Sequence, residues 1–440
     1  ISLVICLLVF ASCRQEIDTF GIHFTLDQRK LGNGLTVILV EDPAASVVTY
    51  QTWFRVGSAY EMPGATGTTR LFEHLMFKGT TRYGPKMFLQ ELEVAGAEVN
   101  ALATRDYTAF YETFVPELLE KVIDMEADRM SNLVLSEAGL NQERLIALEE
   151  RRLKLETIPE TKLHEALWEL AYRRHSYQWP ISGRISDLMR ISLAQLKSFY
   201  QSYFQPANAC VVVIGKFNAN ETFDLIKKYY GGLPSYPVPA QAIFEEPEQK
   251  EERRLVMREP VSSEQFALGY HITSAEDEDS FSLDVLSNIL FVGSFARAYQ
   301  RLVEKDASVL DLRGSAFTPA FPGLFTVTGV MKEGVSSEKA EKALDEVINA
   351  IQDQGVTQKE VDTAVSQLTL QLLDGVRTPQ GLGHLLGTSH MILKNVEKFA
   401  SDFNRYAKVT PQDVRRVAVK YLNPNNRSVV TLIPKKSEKL

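Results

Sequence analysis

The sequence predicts an α+β fold made of two homologous α/β domains, each a mixed sheet with helices packed on it. Three observations carry this. The first is an internal repeat. Residues 192–214 (SLAQLKSFYQSYFQPANACVVVI) and 410–432 (TPQDVRRVAVKYLNPNNRSVVTL) align at an offset of 218, so that Tyr203 meets Tyr421, Pro206 meets Pro424 and Asn208 meets Asn426. Each copy reads as a capped amphipathic helix, a Pro-Asn turn and a β-branched strand. The second is a further match, in which Leu140-Asn141-Gln142 opens a helix as Val356-Thr357-Gln358 does later. The third is a composition shift. Residues 234–254 are rich in Pro, Glu, Gln and Lys and lack periodicity, as a linker does. A chain of 440 residues also exceeds one ordinary core. The expected domains are therefore 20–233 and 255–440, joined by the linker 234–254.

The elements of the first half follow in order. Residues 34–40 and 47–54 read as strands and 67–78 as a helix. Residues 96–114 carry two strand patterns broken at Arg105-Asp106, and helices follow near 117–133 and 141–156.

Composition is that of a globular protein, with 45% hydrophobic and 24% charged residues. A net charge of −8 argues against nucleic acid as a partner, because phosphate binding needs clustered Lys and Arg. No internal run is long and apolar enough to span a bilayer. Residues 1–10 are almost wholly apolar and lead into Ala11-Ser12-Cys13. A short apolar stretch closed by small residues predicts a secretory signal over 1–13. Small residues before a cysteine also fit a lipobox, with Cys13 as the lipid-bearing residue. Both alternatives imply an exported protein, periplasmic or a membrane-anchored lipoprotein, that meets the membrane only through a signal or lipid anchor. Cys210, inside the run Cys210-Val211-Val212-Val213-Ile214, is expected to be an inert core residue, and no disulfide framework is expected.

The segment with chemistry in it is Arg70-Leu71-Phe72-Glu73-His74. Positions i, i+3 and i+4 of a helix share a face, so Arg70, Glu73 and His74 point the same way. The inverted zinc motif H-x-x-E-H places two histidine ligands and a glutamate base on such a face. Here the base, Glu73, and the second histidine, His74, are in place, and Arg70 stands at the first ligand position. By itself this pattern is weak, since a His beside a Glu on a helix is usually a surface or core pair.

Its surroundings strengthen it. Leu31-Gly32-Asn33-Gly34-Leu35, the run from Phe72 through Thr80 (FEHLMFKGT), Asn100-Ala101, and the run from Thr104 to Tyr111 (TRDYTAFY) resemble peptidase family M16, the insulinase, pitrilysin and mitochondrial processing peptidase group. The resemblance covers nearly the whole chain. It implies two halves forming a clamshell around a chamber that admits short or unfolded peptides. It implies Zn2+ as cofactor, with Glu150, which stands 76 residues beyond His74, as a ligand and Glu143 as a supporting carboxylate. It also implies that an extended peptide adds to an edge strand. Residues 98–104 are the candidate edge, with Asn100 and Ala101 nearest the site. The second half carries no matching metal motif, and His384 and His390 are expected to be structural. Val303 and Leu310 occupy positions where the family often has an Arg and a Tyr. Members lacking that pair but keeping zinc usually work beside a partner M16 subunit that supplies it, so the resemblance makes this chain like the zinc-type half of a pair.

Zinc in a hydrolase needs three N or O ligands and one open position. Guanidinium has no lone pair to donate and stays protonated. Arg70 therefore cannot replace the missing ligand, and it is expected instead to neutralise the carboxylates of Glu73 and Glu150 as a built-in cation. Two functional readings follow. One is a zinc metallopeptidase acting on peptides, tolerant of Arg70 or served by a rescue ligand. The other is a catalytically inactive peptide-binding or scaffold subunit of a hetero-oligomeric complex. Histidine and arginine codons can differ by one base, and the intact Glu73, His74 and Glu150 suit a recent change at one position.

Overall fold

The structure is a computed structural model that describes residues 13–19, 22–85, 87–240, 244–396 and 398–435. The expected signal lies outside the described residues except at Cys13, which opens a strand.

Two sheets organise the chain. The first holds β1 (Cys13–Thr19), β2 (Ile22–Lys30), β3 (Thr36–Glu41), β4 (Val48–Phe54), β5 (Glu98–Ala103), β6 (Thr108–Phe114) and β7 (Ala209–Gly215), in the order β1-β2-β3-β7-β4-β6-β5. The second holds β8 (Arg253–Glu259), β9 (Gln265–His271), β10 (Val309–Phe317), β11 (Leu324–Met331) and β12 (Arg427–Pro434), in the order β10-β11-β9-β12-β8. The run β3-β7-β4-β6-β5 of the first sheet repeats as β8-β12-β9-β11-β10 in the second. Each run contains one parallel pair at the same place, β3 with β7 and β8 with β12. The fold is thus α+β and duplicated, with two mixed sheets.

The repeat holds down to single hydrogen bonds. Helices Leu193–Tyr203 and Pro411–Tyr421 both begin with a capping box, Ser192 with Gln195 and Thr410 with Asp413. In the turns that follow, Asn208 Nδ2 donates to Tyr203 O at 2.9 Å and to Arg55 O at 3.2 Å. Asn426 Nδ2 donates to Tyr421 O at 2.9 Å and to His271 O at 2.8 Å. Each asparagine ties a helix end to the strand beside it, which is why this residue recurs.

The compact units are not the contiguous halves divided at 234–254. One comprises Ile1–Leu145, Ser186–Gln241 and Gly375–Ala400, and the other Ile146–Ile185, Ala242–Asp374 and Ser401–Leu440. The helices up to Ala171 are α1 (Thr68–Leu75), α2 (Met87–Val94), α3 (Leu119–Asn132), α4 (Glu137–Thr157) and α5 (Pro159–Ala171). Of these, α5 packs on the second sheet, where Leu163 and Leu167 join Ala267, Val430 and Leu432 in one buried cluster. Reciprocally, the second-half helix Pro379–Leu393 packs on the first sheet. Its approach is close. A Cβ at Gly383 would meet Gln51 Nε2 at 2.4 Å, and one at Gly387 would meet Trp53 Cε2 at 2.2 Å. Arg55 fixes the far end, donating to Met391 O and His390 O at 2.9 Å each. His384 and His390 are thus built into this packing.

Described residues at the end of the linker make contacts that its composition does not suggest. Gln249 is buried and donates to Arg427 O at 2.6 Å. Glu246 accepts the backbone N–H groups of Arg173, Arg174 and His175 at 2.8 to 3.0 Å. The last two linker residues, 253–254, already belong to β8. Cys210 is fully buried, and burial pushes its thiol up, as expected for an inert core residue.

Candidate functional site

Helix α1 carries the motif, and its start is held by side chains outside it. Gly67 takes φ of +91° at the N-cap, a left-handed conformation that a side chain would strain. Two backbone N–H groups at this end donate to one buried carboxylate. Gly67 N reaches Glu61 Oε2 and Thr69 N reaches Glu61 Oε1, both at 2.7 Å. Burial pushes the Glu61 carboxyl up to about 8, while these donors pull the other way. Beside it, Thr66 Oγ1 donates to Asp187 Oδ2 at 2.7 Å. Leu71, Phe72 and Leu75 are buried along the inner face. The Phe72 ring lies 4.8 Å from Phe204 and 5.9 Å from both Phe199 and Tyr200. Above about pH 8, where Glu61 is a carboxylate that accepts from both N–H groups, Glu61→Gln is expected to destabilise the protein by about 1–3 kcal/mol, because an amide would turn a donor toward one helix N–H. Urea denaturation checks this, and an unchanged midpoint would remove Glu61 as the anchor of α1.

With one face of α1 in the core, Arg70, Glu73 and His74 share another, partly buried face, pointing the same way as expected. Arg70 Nη1 lies 2.6 Å from Glu73 Oε2, with the two side chains 22% and 15% exposed. The cation at the first ligand position thus pairs with the carboxylate at the base position. His74 Nδ1 lies 3.3 Å from Glu143 Oε2, and Lys78 Nζ lies 2.5 Å from Glu143 Oε1. Burial would raise the Glu143 carboxyl, but hydrogen bonds from His74 and Lys78 outweigh it and hold the group below its ordinary value. Glu143 is 2% exposed. Glu143, which the resemblance makes a supporting carboxylate, is thus held between His74 and Lys78, and Lys78 is a partner that was not expected.

Helix α4 presents Glu143 because Arg144 beside it is tied down, donating to Leu188 O at 2.9 Å and to Ile191 O at 2.5 Å. Glu150 lies seven residues on along α4, on the same helical face, and is half-buried. Its neighbours divide. Arg152 is exposed and pairs with Glu149 and Glu156, a solvated face. Arg151 is buried and makes a two-pronged contact with Glu165 at 2.7 and 2.8 Å. The run Glu149-Glu150-Arg151-Arg152 is therefore only half a surface stripe.

Asn100 and Ala101 lie on β5, which closes the first sheet and among the described residues pairs only with β6. Asn100 is exposed and Ala101 half-buried. An extended segment could hydrogen-bond along this edge. Elsewhere, Val303 is partly buried against the core of its unit, and Leu310 is exposed on the edge strand β10.

The donor set does not fit zinc. Three ligands are needed, and the first position offers a guanidinium already bound to Glu73. Among the described residues no group of three His, Cys, Asp or Glu side chains is spaced to hold a metal.

Comparison with known proteins accounts for this scaffold. The model of the insulinase group of peptidase family M16 matches residues 36–184, and the peptidase M16 inactive-domain model matches residues 190–368. The chain belongs to peptidase family M16. A zinc protease of Helicobacter pylori, PqqE, is 25% identical over 408 residues, covering 92% of each chain. A probable mitochondrial-processing peptidase subunit beta of Arabidopsis thaliana is 25% identical over 425 residues, covering 92% of this chain and 77% of that one. The crystal structure of a protease from Helicobacter pylori superposes with a TM-score of 0.89 at 25% identity, over 93% of this chain and 99% of that one. Zinc belongs to the printed name of the Helicobacter pylori PqqE relative, whereas this chain holds Arg70 three residues before Glu73-His74.

Proposed function

We propose that this M16 member holds extended peptides without hydrolysing them through zinc, as a non-catalytic subunit beside a partner M16 chain. The observation that carries this is the ion pair of Arg70 with Glu73. It supplies in protein form the positive charge that a metal would bring, and it engages the carboxylate that would act as base. The open edge at β5 supports retained peptide binding, because main-chain pairing there needs no metal. The partner is supported by Val303 and Leu310 at the positions of the family's Arg and Tyr. A relative named as a subunit of mitochondrial-processing peptidase points the same way.

The test uses the purified chain with zinc supplied. Metal content is read by atomic emission, and a fluorescein-labelled unfolded peptide is followed by anisotropy and mass spectrometry. The expected result is binding of the peptide, recovery of it intact, and far less than one zinc per chain. One zinc per chain together with cleavage would overturn the proposal and make this a working peptidase with an unusual ligand set.

A further inference from the structure

The face of the first sheet that meets helix Pro379–Leu393 is covered unevenly. The helix lies over β4 and β7. On β6 and β5, Tyr111, Thr113 and Leu102 stay half-buried and Asn100 stays exposed. Strand register puts Asn100 directly across from Tyr111, and Tyr111 across from Gln51. These three side chains therefore stand on one face, in a row running inward from the open edge. Gln51 at the inner end is buried under the helix, donating to Gln380 O at 2.9 Å. Tyr111 sits where the cover stops, so the helix forms a wall and the β5–β6 face a floor.

The wall beside Tyr111 is His384. The two rings meet edge to face, with centroids 4.7 Å apart and an interplanar angle of 81°. His384 is itself fixed. Its Nδ1 lies 3.2 Å from Gln380 O and 3.5 Å from Gln51 Nε2, and its ring stands 5.5 Å from Trp53. Burial lowers its pKa, so the ring is neutral and the wall uncharged. Burial, with a smaller push from Glu73, raises the Tyr111 phenol, which likewise stays neutral.

We infer that Tyr111 and His384 form a side-chain subsite for an apolar or aromatic residue of a peptide lying along β5, with Tyr111 making the contact and His384 positioning its ring. The inference rests on the peptide-holding reading above. Side chains of an added strand alternate between faces, so every second residue of such a peptide projects over the Asn100–Tyr111 side. Two neutral rings set at right angles offer an apolar side chain a surface already dry on its inner side.

The experiment measures binding of labelled alanine-serine peptides in which a single phenylalanine is moved along the chain, against the all-alanine-serine parent. The wild type is expected to prefer phenylalanine at one position by about tenfold, the scale of one buried aromatic contact. Tyr111→Ala should abolish the preference and change affinity for the parent by less than about twofold. Tyr111→Phe should keep the preference, because the ring and not the hydroxyl makes the contact. His384→Ala should weaken the preference and His384→Phe restore it, a rescue that general loss of packing would not give. Circular dichroism confirms the fold of each variant. A preference that survives in Tyr111→Ala overturns the subsite and leaves peptide binding along β5 standing. Failure of the wild type to bind any peptide of the series overturns both.

Discussion

Arg70→His is expected to carry about one zinc per chain and to cleave peptides that the wild type only binds. The introduced imidazole would share the outer face of α1 with Glu73 and His74, since i, i+3 and i+4 align there. It would join His74 and, at the family's ligand spacing, Glu150, completing a set of three. It would also release Glu73 from the ion pair that engages it now. Metal assistance is worth several kcal/mol. At 1.36 kcal/mol for each factor of ten, hydrolysis should rise by about a thousandfold or more. Atomic emission and a quenched fluorescent peptide measure the two effects. A well-folded variant that stays metal-free would show that position 70 is not the only departure from a zinc site.

The largest stability loss is expected at a residue away from the chemistry. Arg129 on α3 is 2% exposed and pairs with Glu126. Its Nη2 also lies 3.5 Å from Glu112 Oε1 on β6. Its guanidinium is enclosed by aromatic rings, 4.5 Å from Phe110, 4.6 Å from Phe88 and 5.3 Å from Phe77. Glu126 accepts from Thr52 Oγ1 at 2.8 Å. Burial pushes the Glu112 carboxyl up, Glu126 adds to this, and Arg129 opposes it. Arg129→Met keeps most of the volume but leaves two buried carboxyls facing each other. The expected cost is about 3–5 kcal/mol, as for breaking a buried pair on one side. Adding Glu126→Gln should recover part of it, because the two losses are coupled. Urea denaturation of the single and double variants decides this. A single variant within about 1 kcal/mol of wild type would mean that the cluster relaxes or admits water.

The fold was most legible where burial and periodicity agree. The strand pattern over 47–54 became β4 (Val48–Phe54), buried at every residue. The break at Arg105-Asp106 separates β5 from β6 as read. The hairpin of β1 and β2 was not legible, because it is mostly polar. Of the described side chains in β1 (CRQEIDT), only Ile17 is buried. The helix expected over 67–78 ends at Leu75, beyond which Phe77 N and Lys78 N bond back three residues, to His74 O and Leu75 O, in a tighter turn.

The shared face of Arg70, Glu73 and His74 followed from helical spacing alone, whereas the partners around it did not. Glu61 lies six residues before Gly67 with no periodic relation to α1, and Lys78 falls in the turn beyond the helix. Arg151 reads as one of four adjacent charges and is buried only because Glu165 and Ser182 meet it. Such roles depend on which segments the fold brings together, and spacing along the chain does not encode that.

The exchanged helices bear on how this chain acquires its structure. The glycine-lined helix that shields Trp53 lies more than 300 residues downstream of that tryptophan. Until it is made, the first sheet has its strands but lacks a lid over β4 and β7, and the nascent chain displays a tryptophan-bearing apolar surface. Sequence-distant closure of this kind slows folding and lengthens exposure to aggregation. Duplication has thus not produced two independently maturing modules. A truncation at the apparent linker would take from each sheet the helix that packs on it, leaving two sticky fragments in place of two domains.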